Sequence, residues 1–311
     1  MKVVVTGANG FVGLALLWRL NLTTAFQPLS VVRCAAGLTV GELVEIGDFT
    51  KQTDWSKILA GADAVVHLAG RVHVMNDTEA DPLAAFRAVN VDGTLNLASQ
   101  ASAAGVKRFV FVSSVKVNGE STPPGKAFTD ADTPNPKDAY GKSKHEAELG
   151  LRQLSANTGM EIVIIRPPLV YGPGVKANFA ALMQAVKSGW PLPLGAVHNQ
   201  RSLVAVDNLV DFIITCITHP KAANQTFLVS DGQDLSTTEL VRGIAQSAGM
   251  NARLIPIQVW ALRIGASLLG KSDAIERLCG NLQVDISKSR SLLGWEPPVS
   301  VQEGLKRTTA V

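Results

Sequence analysis

The chain has 311 residues, 46% hydrophobic and 18% charged, with 29 Lys and Arg against 26 Asp and Glu. That length allows one large domain or two modest ones around a sizeable core. The net charge of +3 is scattered without a basic run, which excludes nucleic acid as an expected partner; three widely spaced cysteines without a C-x-x-C fit a reducing compartment and exclude a zinc cluster.

Met1–Gly13 reads as a strand and a turn rather than a signal peptide. Val3–Thr6 is the predicted strand and Phe11–Leu20 the predicted helix, joined across Gly7, Asn9 and Gly10. Gly7, Gly10 and Gly13 permit a tight turn, a close backbone approach to a pyrophosphate and close helix–strand packing. Phe11 and Val12 open the helix, whose N-terminus would face the negative charge. These residues form a candidate dinucleotide loop, supported by their strand–turn–helix setting.

A second strand, Leu29–Arg33, ends in Val31-Val32-Arg33-Cys34. A carboxylate there would hold a ribose 2′-hydroxyl. Arg33 stands instead, which favours NADP(H) through its 2′-phosphate, with NAD(H) possible and a solvated arginine as the alternative. Asp48, followed by Phe49, is a candidate for the adenine amino group or a turn-stabilising residue. Leu68, Ala69 and Gly70 follow the predicted strand Ala64–Leu68, at the carboxyl edge where open α/β sheets bind ligands.

A helix over Pro82–Ala104, a strand over Lys107–Ser113, a helix over Tyr140–Asn157 and a strand over Glu161–Arg166 continue the alternation. Apolar strands each followed by a helix predict an α/β fold, a Rossmann-type doubly wound parallel sheet covered on both faces. The Pro-, Gly- and Asp-rich stretch 116–139 predicts a long surface loop, either a lid or plain solvent loop.

After Tyr171-Gly-Pro-Gly174 the texture changes to short strands and helices near Phe179–Ser188, Asp207–Thr218 and Thr237–Ala248, with Ser236 and Glu239 as a capping box. The expected division is a dinucleotide domain over 1–174, with a return near 204–217, and a smaller α/β substrate domain over 175–311. Leu254–Leu269 is shorter than a membrane span and interrupted by Pro256 and Arg263, so it reads as a buried or amphipathic helix without stable membrane insertion. The five histidines show no metal-ligand spacing, so no metal is expected; His67 and His145 read as packed structure, as does His73, with reach to the substrate region as its alternative.

Tyr140 and Lys144 are four residues apart, about one helical turn, and project from one face. An ammonium group beside a phenol favours the phenolate, and the Ser114 hydroxyl can bond the same reacting oxygen. This trio suits proton transfer to or from a carbinol or carbonyl oxygen.

Together these residues resemble an extended short-chain dehydrogenase/reductase over essentially the whole chain. The resemblance rests on Thr6-Gly-Ala-Asn-Gly-Phe-Val-Gly13, His67-Leu-Ala-Gly70, Asn90-Val-Asp-Gly-Thr94, Val112-Ser-Ser114 and Tyr140-x-x-x-Lys144. Arg166-Pro-x-x-x-Tyr-Gly-Pro173, Arg201-Ser-x-Val-x-Val-Asp207 and Leu293-Gly-Trp295 are similar to motifs of enzymes acting on nucleotide-diphosphate sugars. The resemblance implies catalysis by Ser114, Tyr140 and Lys144, with Lys144 also lowering the phenol's pKa. It implies a coenzyme contact at Pro167, and diphosphate or uridine contacts at Asn178 and Arg201. Val115-Lys116 stands where sugar dehydratases carry Asp-Glu, which argues against dehydration. Asn118 departs from the Tyr that relatives commonly carry, which bears on sugar placement. The implied reaction is at C4 of a UDP-sugar. The first choice is an NADPH-dependent UDP-4-keto-6-deoxy-N-acetylhexosamine reductase for surface polysaccharide. The second is a UDP-hexose 4-epimerase holding NAD, and a non-catalytic dinucleotide sensor ranks below both. A cytoplasmic homodimer, joined through the helices around Pro82–Ala104 and Tyr140–Asn157, is the implied assembly.

Overall fold

The computed structural model describes residues 1–34, 41–72 and 81–310; His73 lies outside them. Strands β1 (Lys2–Thr6), β2 (Gln27–Val32), β3 (Glu42–Glu45), β4 (Ala64–His67), β5 (Arg108–Val112) and β6 (Glu161–Arg166) form most of the main sheet. A short pair, β7 (Leu169–Tyr171) and β8 (Leu203–Ala205), stands apart, and β9 (Thr226–Leu228) completes the main sheet beside β6. The seven-stranded order is β3-β2-β1-β4-β5-β6-β9, parallel throughout. The order reverses between β1 and β4, which opens a crevice at their carboxyl ends.

Strands buried on both faces explain the continuous apolar runs. Val3 and Val5 pack with Leu16, Leu17 and Leu20 on one side, while Val4, Phe109 and Phe111 pack with Leu97, Ala98 and Leu151 on the other. The helix Val206–Thr218 also covers the first side, with Leu209, Phe212 and Ile213 inside that cluster. A third cluster, containing Tyr171, Phe179, Leu194, Leu240, Ile244 and Leu305, organises the C-terminal portion. Ser236 caps the helix Thr237–Ser247 through a capping box with Glu239, as its sequence predicts.

Two of the expected helices differ from the sequence expectation. The helical run expected over Pro82–Ala104 is interrupted by a wide π turn at Ala88–Gly93, between the helices Pro82–Arg87 and Thr94–Ala103. Gly93 there lies against the Phe49 ring, where a Cβ would sit only 2.5 Å from it. Within Leu254–Leu269, only Val259–Leu268 is helical, and the preceding Pro256 accompanies non-helical chain.

Candidate active site

The glycine loop follows β1 directly. Gly7 has φ +68°, and a Cβ there would lie 2.7 Å from the Ala69 nitrogen, so loop and β4 turn are in close contact. A Cβ at Gly13 would collide with the Gly7 carbonyl oxygen. The helix Phe11–Asn21 begins after Gly10 with no side-chain cap and no acidic residue in its first turn. Its first N–H groups are therefore uncapped by side chains and suit an anion. The loop thus fits a dinucleotide diphosphate. Asn9 lies beside it, its amide donating to the Cys34 carbonyl at 3.5 Å.

The other coenzyme candidates divide by burial. Arg33 is exposed at a bend just past β2, and Asp48 is exposed in the loop after β3, where its carbonyl accepts from Thr53 at 2.8 Å. The Phe49 side chain packs in the core, stacked 5.2 Å from His67, which leaves its backbone for any ligand contact. Leu68, Ala69 and Gly70 are half-buried; the Ala69 N–H donates to Thr6 Oγ1 at 3.3 Å. Pro167 is buried, and its carbonyl accepts from the Val115 N–H at 3.0 Å, fixing the turn after Ser114.

Ser114 sits just past β5, and Tyr140 near the start of the helix Ala139–Thr158. Asp138 caps that helix, accepting from the Gly141 N–H at 2.7 Å, and its other oxygen pairs with Lys116 Nζ at 2.5 Å. Lys116 therefore helps place the helix that presents Tyr140. The Ser114 hydroxyl lies close enough to the Tyr140 phenol to favour its charged form. Lys144 is buried on the same helix; its Nζ donates to the Val112 carbonyl at 3.0 Å and lies 4.5 Å from the Phe111 ring centre. A Cβ added at Gly70 would be 3.5 Å from that Nζ. The glycine loop, the β4 turn, Ser114, Tyr140 and Lys144 thus meet at one end of the sheet.

The electrostatics correct one expectation. Tyr140 is pushed up to about 12, first by burial and then by Asp138, against a downward pull from Ser114. The depressed phenol expected beside Lys144 is not found, because the ammonium bonds Val112 and burial dominates at the phenol. Burial brings Lys144 down to about 8, opposed by Glu148. The buried His67 is held well below the ordinary imidazole range by burial and then by Lys144. It bridges Thr6 at 2.6 Å and Thr94 at 2.8 Å, as packed structure.

Sequence reasoning did not assign two supports of this site. Asn90 accepts from the Arg71 N–H at 2.8 Å and donates to Ser143 Oγ at 3.0 Å, joining the β4 turn to the tyrosine's helix. On the same helix, the buried Glu148 accepts from Arg166 Nε at 2.9 Å and from Ser113 Oγ at 2.6 Å. Arg166 also donates to Asn118 Oδ1 at 3.0 Å, and Asn118 donates to the Thr129 carbonyl at 2.9 Å. Asn118 is thus a buried anchor of the 116–139 loop. The available signal was the charged Arg166 closing the apolar strand Glu161–Arg166, a residue that needs a buried partner.

The sugar-end candidates lie farther along the chain. Asn178 is exposed in the first turn of the helix Ala177–Lys187. Arg201 is half-buried and donates to the Gly280 carbonyl at 3.0 Å; burial lowers its pKa while Glu120 opposes. Trp295 of the Leu-Gly-Trp motif is buried against Phe212 and donates to Asp211 at 2.9 Å, which assigns it to packing. Among the described residues, no group of three or more His, Cys, Asp or Glu converges on a possible metal position.

Residues 3–230 match the family model described as "NAD dependent epimerase/dehydratase family". The chain belongs to that family. It is an enzyme of the extended short-chain dehydrogenase/reductase type. A UDP-glucose 4-epimerase of Vibrio cholerae is 51% identical over 308 residues, covering 99% of this chain and 94% of that protein. The N-acetyl-alpha-D-glucosaminyl-diphospho-ditrans,octacis-undecaprenol 4-epimerase of Escherichia coli O157:H7 is 30% identical, covering 99% and 94%. The solved UDP-glucuronic acid 4-epimerase of Bacillus cereus, in complex with NAD, has a TM-score of 0.80 at 22% identity, covering 100% of this chain and 96% of that one. At that identity the likeness establishes the shared fold.

Proposed function

We propose that this enzyme is a UDP-sugar 4-epimerase that retains NAD, oxidising C4 and reducing it again on the opposite face. The observation carrying this reading is the 51% identity to the Vibrio cholerae UDP-glucose 4-epimerase across 99% of the chain. The sequence alone ranked a 4-keto reductase first, chiefly on Arg33. That exposed strand-end side chain also suits the adenosine end of NAD, and the Bacillus cereus relative in complex carries NAD.

Gly7, Gly10 and Gly13 would hold the diphosphate through backbone N–H groups. Arg33 and Asp48 would meet the adenosine end, with the Leu68–Gly70 turn and Pro167 along the remainder. Bound NAD would supply the hydride acceptor, then the donor, and a positive charge that favours the phenolate. Tyr140 takes the C4 hydroxyl proton during oxidation and returns a proton to the C4 oxygen during reduction. Ser114 bonds that oxygen and orients it. Lys144 holds the nicotinamide ribose. Residues 175–311 would carry the UDP end, with Asn178 and Arg201 as contacts. A homodimer through the helix Ala139–Thr158, which exposes Leu149, completes the proposal.

The test is incubation with UDP-glucose or UDP-N-acetylglucosamine, with product followed by NMR. Interconversion with the 4-epimer, without net change in coenzyme, is expected. Activity only on a 4-keto sugar, with stoichiometric NADPH oxidation, would instead establish the reductase. Tyr140→Phe should lower turnover about 10²–10⁴-fold while NAD binding persists.

A further inference from the structure

We propose that a Trp-rich face of the C-terminal portion docks this enzyme on an anionic lipid bilayer. In the helix Val259–Leu268, Trp260, Ile264 and Leu268 are spaced four apart and share one face. They are 66%, 56% and 83% exposed, and Leu269 at the helix end is 72% exposed. The opposite face already packs inward through Val259 and Leu262. The outer face therefore carries large apolar side chains that the fold itself does not need. A contiguous exposed apolar face of this kind marks an interaction surface.

Trp190, 75% exposed, lies on the chain segment beside it. The Leu192 N–H donates to the Arg253 carbonyl at 2.8 Å, and the Ile255 N–H returns a bond to Leu192 at 2.8 Å. These bonds hold the Trp190 loop against the segment leading into the helix.

Charge selects the occupant. The segments nearest this face, 187–195 and 253–271, contain no Asp or Glu, while the adjoining helix Ser272–Cys279 carries Asp273 and Glu276. Lys187, Arg253 and Lys271 are exposed and pair with no carboxylate among the described residues. Arg263 is the exception, bonded to Glu276 at 2.8 Å. Self-pairing of this face in a two-fold dimer would bring like charges together. An anionic lipid surface complements them, and indole side chains favour the membrane–water boundary. A ten-residue helix is about 15 Å long, too short to cross a bilayer, so it would lie in the interface plane. This is peripheral binding, and it rests on the surface alone, independent of the coenzyme and sugar readings.

The full chain should co-sediment with vesicles of phosphatidylcholine containing phosphatidylglycerol, more strongly than with phosphatidylcholine alone, and less at high salt. The double variant Trp260→Asp/Leu268→Asp should lose at least roughly tenfold in partitioning while sugar-nucleotide turnover persists. If that variant is poorly folded, Arg253→Glu/Lys271→Glu should weaken binding by roughly tenfold or more. Absence of wild-type sedimentation with the anionic vesicles would overturn the proposal. So would undiminished binding by a folded variant, or a wild-type dimer that the substitutions split without any vesicle binding.

Discussion

Tyr140 and Lys144 show how the same burial acts in opposite directions on two groups. Burial resists the charged form of each, so the phenol is held up to about 12 and the ammonium is brought down to about 8. An unfolded lysine keeps its proton to about 10.5, whereas folded Lys144 releases it from about 8. Below about 8 both states are charged, and the burial penalty applies in full. Between about 8 and 10.5 the unfolded state binds more protons, so this residue makes stability rise with pH. Lys144→Met should therefore melt above wild type near neutrality, with the difference shrinking as pH rises toward 10.5. Thermal melts across that range check it; a pH-independent difference would contradict the assignment.

At the scale of elements, the buried Glu148–Arg166 pair ties the helix Ala139–Thr158 to β6, and Asn118 extends the tie to the 116–139 loop. Removing one partner leaves an uncompensated buried charge, at a cost of about 3–5 kcal/mol. Glu148→Ala should show that loss in urea unfolding, and Glu148→Met with Arg166→Met should recover much of it. Ser113 and Asn118 would then lose partners too, so recovery should be incomplete. This network was only partly legible in the sequence. The Arg166-Pro167 motif and Asn118 were visible, but their meeting with Glu148 requires β5, β6 and the tyrosine's helix to pack together. Sequence periodicity predicted the long strands and helices well because both faces of each strand are buried. It did not predict β3, a strand of four residues with charged ends, or the π turn at Ala88–Gly93, where Phe49 fills the space beside a glycine.

Across the whole molecule, the candidate coenzyme loop follows one strand and opens one helix, so its chemistry was readable locally. The sugar end was not, since Asn178, Arg201 and Trp295 are distributed by long-range folding, and Trp295 proved to be a packing residue. Coenzyme binding should stabilise the folded state by about 2.7 kcal/mol at a hundredfold excess over Kd. NAD should raise Tm, and Gly13→Val should abolish that rise by driving a side chain toward the Gly7 carbonyl. A rise preserved in the variant would place the diphosphate elsewhere.

Hydride return within one active site is the central claim, and UDP-glucose deuterated at C4 tests it most directly. With NAD-loaded enzyme and unlabelled coenzyme in solution, the account predicts UDP-galactose that keeps deuterium at C4, with none in the free coenzyme. Deuterium in the coenzyme pool, or product only when NADPH is supplied, would contradict it.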